Sequence, residues 1–152
     1  MKSFINIILC MCILFSYSIR SEDIPYLLTA SSKGDIESVK AIIDSGGNPN
    51  TEDGNKVTAL MYASRKNQVE VARYLISKGA EVNKQEIDGW TALMYASKNN
   101  YSDMVELLIN NNADLKVTDS DGWTAYGLAA TSGNHQTLDL LIKKGINPNT
   151  RN

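Results

Sequence analysis

The feature that most constrains this chain is a sequence unit that repeats at one fixed period of about 33 residues. The stretch at 88–112 reads DGWTALMYASKNNYSDMVELLINNN, and related stretches stand one period before it and one period after it. Thr91-Ala92-Leu93-Met94 corresponds to Thr58-Ala59-Leu60-Met61, and Asp88-Gly89-Trp90-Thr91 corresponds to Asp121-Gly122-Trp123-Thr124. Self-similarity at one fixed period is typical of a solenoid, in which each unit packs only on its neighbours. We therefore predict a repeat architecture.

Each unit contains two apolar-periodic runs that are separated by a helix-breaking residue. Leu60 with Ala63, and Leu93 with Ala96, stand three positions apart, which places each pair on one face of a short helix. A longer run with the same kind of spacing follows in each unit. A threonine precedes the first run at positions 58, 91 and 124, and its hydroxyl can accept a bond from the free N–H groups of a helix start. The pattern predicts two helices in each unit.

Two columns of the aligned units hold only glycine or asparagine. The column between the helices holds Gly34, Asn67, Asn100 and Gly133, and the column after the second helix holds Gly46, Gly79, Asn112 and Gly145. These two residue types enter the left-handed conformation with positive φ most readily. A residue in that conformation ends a helix by capping its last carbonyl groups. We therefore predict a helix end at each of the eight positions.

The N-terminal segment 1–21 differs from the rest of the chain. A positive charge near the start is followed by an apolar run from Phe4 to Phe15 and then by small residues spaced three apart. This order is typical of a secretory signal peptide, so we predict that residues 1–21 are a leader cleaved near Ser18 or Ser21. The apolar run is shorter than the about 20 residues that a membrane span needs. A retained N-terminal anchor is the alternative.

Composition and motifs exclude several classes of function. Hydrophobic residues make up 43% of the chain and charged residues 21%, which is typical of a globular protein, and the net charge of −2 leaves no basic footprint for nucleic acid. Both cysteines, Cys10 and Cys12, lie in the predicted leader. The one histidine, His135, has no nucleophile motif beside it, and no phosphate loop or metal-ligand spacing occurs. We predict a protein that is not an enzyme and that uses no cofactor and no metal.

The repeating unit resembles the ankyrin repeat in its length and in its motifs. The family's Asp-Gly-x-Thr-Pro-Leu-His-x-Ala segment is represented by 88–96, and its closing Gly-Ala-Asp-Val-Asn segment by 79–83. Alanine replaces the proline in three units, and methionine or glycine replaces the histidine. The resemblance covers essentially all of 22–152 and implies an all-α solenoid of about four helix-turn-helix units joined by β-hairpin-like turns. The predicted units are about 22–54, 55–87, 88–120 and 121–152.

The resemblance also implies a binding site, because ankyrin arrays use their turn tips and first helices as a concave surface for another protein. Carried over by position, the partner-contact residues are Val57, Arg65, Lys66, Ile87, Trp90, Lys98, Ser120 and Trp123. Tryptophan is enriched among residues that carry binding energy. The alternative for the two tryptophans is that each ring packs over its neighbour's turn and stabilises the stack. The alternative for the basic residues is that they are solvated helix ends.

These inferences predict an exported, monomeric module that holds another protein on a rigid concave face. The expected location is secreted, periplasmic or in the cell envelope, with no membrane contact after cleavage of the leader. The alternative is a membrane-tethered structural or self-associating spacer, held by an uncleaved N-terminal hydrophobic segment. A mature chain that begins at residue 19 or 22 would exclude that anchor.

Overall fold

The computed structural model describes residues 23–147, which form eight helices arranged as four consecutive pairs. The only β-bridge within that range joins Glu52 to Thr58. The predicted leader, 1–21, lies outside the described residues. The helices are α1 Asp23–Lys33, α2 Ile36–Asp44, α3 Ala59–Arg65, α4 Val69–Ser77, α5 Ala92–Lys98, α6 Ser102–Asn110, α7 Ala125–Thr131 and α8 His135–Lys143.

The helix starts follow the period of the sequence. Helices α3, α5 and α7 begin at corresponding positions of successive units, and so do α4, α6 and α8. The hydroxyls of Thr58, Thr91 and Thr124 each accept a hydrogen bond from the backbone N–H three positions further on, at 3.2–3.3 Å. Such a cap satisfies one of the free donors of the first turn and fixes where the helix begins. The predicted caps and the predicted all-α solenoid are confirmed.

The helix ends also fall where the glycine and asparagine columns predict them. All eight residues of the two columns have positive φ, from 56° at Asn67 to 113° at Gly145. At the end of α4, the Gly79 N–H donates to the carbonyl of Ile76 and the Ala80 N–H donates to that of Leu75, both at 3.0 Å. These bonds satisfy carbonyl groups that the helix itself leaves free. The prediction is confirmed at every position.

The first unit differs from the others in the length of its first helix. Helix α1 has 11 residues, whereas α3, α5 and α7 have seven. Pro25 occupies the column that holds the capping threonines, but it lies inside the first turn of α1 rather than before it. Proline is tolerated in a first turn, since the N–H that it lacks would have no partner within the helix. The added turn extends the N-terminal end of the array.

The helices form two layers with the core between them. Helices α1, α3, α5 and α7 pack on each other in succession, and α2, α4, α6 and α8 do the same. Ala63, Ala96 and Ala129 are fully buried in the first layer, where their small side chains allow close approach of neighbouring helices. Larger buried side chains such as Leu75 and Leu108 fill the space between the layers. Across residues 23–147, every helix is too short or too polar to span a bilayer.

Candidate functional site

Three hairpins, at 53–57, 86–90 and 119–123, form one edge of the array, and each is closed by an acidic residue. In the second hairpin, Glu86 Oε1 accepts hydrogen bonds from the backbone N–H groups of Asp88, at 3.1 Å, and Trp90, at 2.9 Å. The carboxylates at positions 53 and 119 make the same two contacts in their own hairpins. These acids have a structural role, because their oxygens satisfy backbone donors at a tight turn.

Neighbouring hairpins are bonded to one another through the backbone. The Ile87 N–H donates to the Asn55 carbonyl at 3.0 Å, and the Ser120 N–H donates to the Asp88 carbonyl at 2.9 Å. Gln85 Nε2 adds a side-chain bridge, since it donates to the carbonyls at positions 89 and 118 at 2.8 and 3.0 Å. The three hairpin tips are therefore held in fixed positions relative to each other.

The structure places the predicted contact residues of the hairpins at different depths. Ile87 is 64% exposed and Trp123 is 44% exposed, and Ser120 is exposed as well, whereas Trp90 is half-buried. Val57 is only 7% exposed and belongs to the core. Val57 occupies the same column as the tryptophans, but its small apolar side chain packs within the core cluster. We therefore remove Val57 from the predicted surface.

The basic residues at the ends of the first helices meet the aromatic residues in a continuous row. Arg65 Cζ lies 6.0 Å from the centroid of the Tyr95 ring, and Lys98 Nζ lies 5.0 Å from the centroid of the Trp90 ring. The Trp90 and Tyr95 rings are themselves 5.0 Å apart at an angle of 44°. Cation–ring contacts of this kind contribute about 0.5–1 kcal/mol each at exposed sites. We name these four residues the cation–ring row.

Tyr95 is the member of the row that was not among the contact residues predicted from the sequence. Its phenol pKa is raised above the ordinary value, mainly by burial and also by the nearby carboxylates of Glu86 and Asp88. The corresponding residue of the second unit, Tyr62, donates its hydroxyl to Asp53 Oδ2 at 2.9 Å, and this bond raises the pKa of Tyr62. The recurrence of tyrosine at the period of the repeat was the signal that could have identified both residues.

Both tryptophans make their described ring contacts within their own units, rather than over a neighbour's turn. Trp90 lies against Tyr95 and Lys98. Trp123 lies over Gly127, where a Cβ atom would come within 3.0 Å of the ring atom Cε3. The absence of a side chain at Gly127 makes room for that ring. The Trp123 ring still leaves much of its surface open to solvent.

Arg65, Lys66 and Lys98 are exposed and have no carboxylate partner among residues 26–147. The ion pairs of that range are formed elsewhere, between Lys40 and Glu37, Lys78 and Asp44, and Lys84 and Glu52. The positive charges at the ends of α3 and α5 are therefore available to a ligand.

A groove lies among the loops that close the first two units. This groove has a volume of about 490 Å³, and its lining residues are Asn48, Asn50, Thr51, Glu52, Glu81 and Lys84. Asn50 Nδ2 donates to the Gly79 carbonyl at 3.0 Å, and Asn50 Oδ1 accepts from the Glu81 N–H at 2.7 Å. Its polar groups therefore join successive units.

The described residues offer no constellation that suggests chemistry. His135 is exposed at the first residue of α8. No group of three or more histidine, cysteine, aspartate or glutamate side chains in the described part of the chain is arranged to hold a metal ion. The hairpin carboxylates are already occupied by backbone donors. The features that remain are the exposed hairpin side chains and the cation–ring row.

Comparison with known proteins agrees with this architecture. The family model described as ankyrin repeats (3 copies) matches residues 9–86, 27–119 and 79–152, so its matches together reach from the N-terminal segment to the last residue. Among curated proteins, none matches this chain. The motifs, the paired helices and the family match agree with one another. The chain therefore belongs to the ankyrin-repeat family, whose repeats commonly mediate contacts between proteins.

Proposed function

We propose that this protein is an exported module that binds another protein on its inner face. We define the inner face as the hairpin tips with Ile87 and Trp123, together with the cation–ring row of the first-helix layer. The observation that carries the proposal is the exposure of the two apolar side chains, 64% for Ile87 and 44% for Trp123, on hairpins that are bonded to each other. Large exposed apolar side chains on a rigid support are typical of binding anchors.

The mechanism is binding to a surface that already has its final shape. The backbone bonds between the hairpins, from Ile87 to Asn55 and from Ser120 to Asp88, hold the anchors before a partner arrives. Association then costs little ordering of the module itself, so more of the contact energy remains as affinity. No catalytic step and no cofactor enters this mechanism.

Export is the second part of the proposal, and it is supported by the N-terminal sequence. The apolar run from Phe4 to Phe15 and the small residues after it are typical of a cleaved leader. We propose a secreted, periplasmic or cell-envelope protein that acts as a monomer and contacts neither nucleic acid nor membrane after cleavage. Mass spectrometry of the mature N-terminus tests this part: residue 19 or 22 supports it, and residue 1 contradicts it.

The binding experiment compares variants of the inner face with a matched variant of the outer layer. Ile87→Ala and Trp123→Ala remove exposed apolar side chains from the hairpins, and Ile142→Ala removes one that is 41% exposed on α8. Partner capture by the full chain should fall by about tenfold with Trp123→Ala and less with Ile87→Ala, and should be unchanged with Ile142→Ala. Equal capture by all three variants, or a loss confined to Ile142→Ala, would contradict the proposed face.

A membrane-tethered or self-associating spacer is the alternative function, and the apolar run from Phe4 to Phe15 is the observation that favours it. A chain that retains residue 1 and sediments with membranes would support the tethered form. A purified chain whose molar mass by light scattering is at least twice the 16.7 kDa of one chain would support self-association. In either case Ile87→Ala and Trp123→Ala should leave the membrane sedimentation or the molar mass of the protein unchanged.

A further inference from the structure

The first-helix layer carries charge of one sign only in the second, third and fourth units. The helix sequences are ALMYASR for α3, ALMYASK for α5 and AYGLAAT for α7, so Arg65 and Lys98 are the only charged residues in the three helices. Lys66 follows Arg65 directly. The second-helix layer is different, because α4 and α6 contain three acids beside Arg73, namely Glu70, Asp103 and Glu106. Positive charge on the inner face is therefore concentrated at the C-terminal ends of α3 and α5, whereas the acids of this face, among them Asp88 and Asp121, lie on the hairpins.

The rings of the cation–ring row determine where these charges lie. A helix dipole favours a cation near each helix C-terminus, and this accounts for the residue type at the ends of α3 and α5. It does not account for Arg65 Cζ lying over a ring of the next unit, at 6.0 Å from the Tyr95 centroid. Since neither Arg65 nor Lys98 forms an ion pair within the described residues, both keep donors for an incoming carboxylate.

The spacing of the helices that carry the two cations indicates the form of the ligand. Arg65 and Lys98 are one unit apart, and the axes of packed helices are separated by about 8–10 Å. An extended polyproline-type segment rises about 3.1 Å per residue with three residues per turn, so positions i and i+3 lie on the same face about 9 Å apart. Carboxylates at every third residue of such a segment therefore repeat at about the spacing of the helices that carry the two cations.

We propose that the inner face takes an acidic, extended segment of another protein, with aspartate or glutamate at every third position. The segment crosses the second and third units, its carboxylates lie against Arg65 and Lys98, and its uncharged residues lie on the rings of Trp90 and Tyr95. Aromatic-lined surfaces are suited to polyproline-type segments. In the fourth unit the cation columns hold Thr131 and Ser132, so the acidic part of the segment ends there. This inference rests on the proposed function, whose partner it describes.

The test uses fluorescence anisotropy with the full chain and a labelled synthetic peptide. The probe is a repeated Asp-Ala-Pro peptide of roughly twelve residues, which favours the polyproline conformation, and its isosteric control is repeated Asn-Ala-Pro. We expect the aspartate peptide to bind and the asparagine peptide to bind at least tenfold more weakly. The affinity for the aspartate peptide should fall as the ionic strength rises from about 0.05 M to about 0.3 M.

Charge-neutral variants locate the site. Arg65→Gln and Lys98→Gln should each weaken binding of the aspartate peptide by about three- to fivefold, the range for an exposed ion pair. Lys143→Gln is the matched control, because Lys143 is an exposed lysine in the last turn of α8 on the outer layer, and it should leave the affinity unchanged. Circular dichroism establishes that all three variants keep the helical content of the parent.

Two results would overturn the inference. The first is equal affinity of the parent, Arg65→Gln and Lys98→Gln for the aspartate peptide. The second is binding of single-stranded DNA of equal charge as tightly as the peptide, which would show a general polyanion surface. If Trp123→Ala abolishes partner capture while the aspartate peptide fails to bind, this inference fails and the proposed function stands. If capture is also insensitive to Trp123→Ala and Ile87→Ala, both fail.

Discussion

The hairpins of the third and fourth units have the same Asp-Gly-Trp-Thr sequence but different surroundings. Gly89 and Gly122 have nearly equal φ angles, 84° and 83°. A Cβ atom at Gly89 would lie 2.9 Å from Asp119 Cα in the next hairpin, whereas one at Gly122 would have no heavy atom within 4 Å. In the third unit glycine is required both by its positive φ and by the close approach of the next hairpin. In the fourth unit it is required by its positive φ alone. The neighbour that follows a unit determines how strictly its sequence is constrained.

The first helices of the two units differ in a related way. Met94 is fully buried in α5, and its counterpart in α7 is Gly127, over which the Trp123 ring lies. Lys98 has Thr131 as its counterpart, so the fourth unit lacks the cation that completes the row in the third. The third unit therefore carries a buried methionine and a cation where the fourth carries a glycine and a threonine.

The largest expected difference between interior and terminal units comes from burying a charge. Leu108 in α6 and Leu141 in α8 are both fully buried and occupy the same column of successive units. An unpaired aspartate at either position should cost about 3–5 kcal/mol locally. Leu108→Asp should abolish the cooperative unfolding transition, because α6 packs on both α4 and α8. Leu141→Asp should remove only the last helix pair.

Urea titrations followed by circular dichroism measure this difference. Leu141→Asp should lose helical signal equivalent to about one unit in four and keep a cooperative transition for the rest. Similar transitions for both variants would show that the array unfolds as one indivisible unit.

The second prediction isolates the contact between hairpins. Gly89→Ala and Gly122→Ala both place a side chain at positive φ, which costs about 1–2 kcal/mol. Gly89→Ala should cost a further 1–3 kcal/mol or so, because its Cβ atom meets the backbone of the next hairpin. Free energies of unfolding from urea titrations measure both effects. Equal destabilisation by the two variants would show that the next hairpin moves aside without cost.

The third prediction concerns the fourth unit alone, and here we expect the substitution to stabilise the protein. Gly127→Ala should stabilise the protein by about 0.5–1 kcal/mol, because alanine is the better helix former and Gly127 does not have positive φ. The exposed Trp123 ring has room to shift by the few tenths of an ångström that the new Cβ atom needs. Thermal unfolding and Trp123 fluorescence in a Trp90→Phe background measure both effects. Destabilisation would show that the ring is held rigidly.

The smallest expected effect is a dependence on alkaline pH that is specific to the third unit. The folded pKa of Tyr95 is raised above the unfolded value of about 10, mainly by burial, so the fold favours the protonated phenol. The resulting stabilisation is fully present below pH 10 or so and is lost as the pH rises through the folded pKa. Tyr95→Phe should make the alkaline loss of stability less steep. The counterpart in the fourth unit is Leu128, which does not titrate.

Urea titrations at about pH 8 and about pH 11 test this dependence, with absorbance at alkaline pH reporting ionisation of the phenols. Tyr62 and Tyr74 also have raised pKa values, so Tyr62→Phe serves as a comparison in the second unit. The same alkaline loss in the parent and in Tyr95→Phe would assign the effect to other residues.

The sequence was sufficient for the fold because repetition makes each local signal appear several times. The threonine caps and the eight residues with positive φ were identified from their columns alone. How deeply each side chain is buried was harder to predict from the sequence. Val57, Trp90 and Trp123 share one column, yet the first is buried, the second half-buried and the third exposed, so the surroundings of each unit determine the depth.

The cation–ring row was beyond the sequence because it joins residues of different columns and different units. Arg65 contacts the ring of Tyr95, and the period of the repeat does not relate these two positions. The hairpin acids are an intermediate case. Asp53, Glu86 and Asp119 recur at the period of the chain, so their position was visible, but their bonds to backbone N–H groups required the structure.

The joints between units also determine how the molecule responds to force. Asn83 connects two units through Asn112 and Asp114, at 2.9 and 2.7 Å, as Asn50 does one unit earlier. One unit later, the residue that corresponds to Asn50 and Asn83 is Lys116. Its ammonium group can only donate, so it cannot both donate and accept as the two asparagine side chains do. The last joint relies instead on Asn134, whose Nδ2 donates to the carbonyls of Ser97 and Lys98 at 2.9 and 2.7 Å, so tension along the array should act on different bonds at its last joint than at the joints before it.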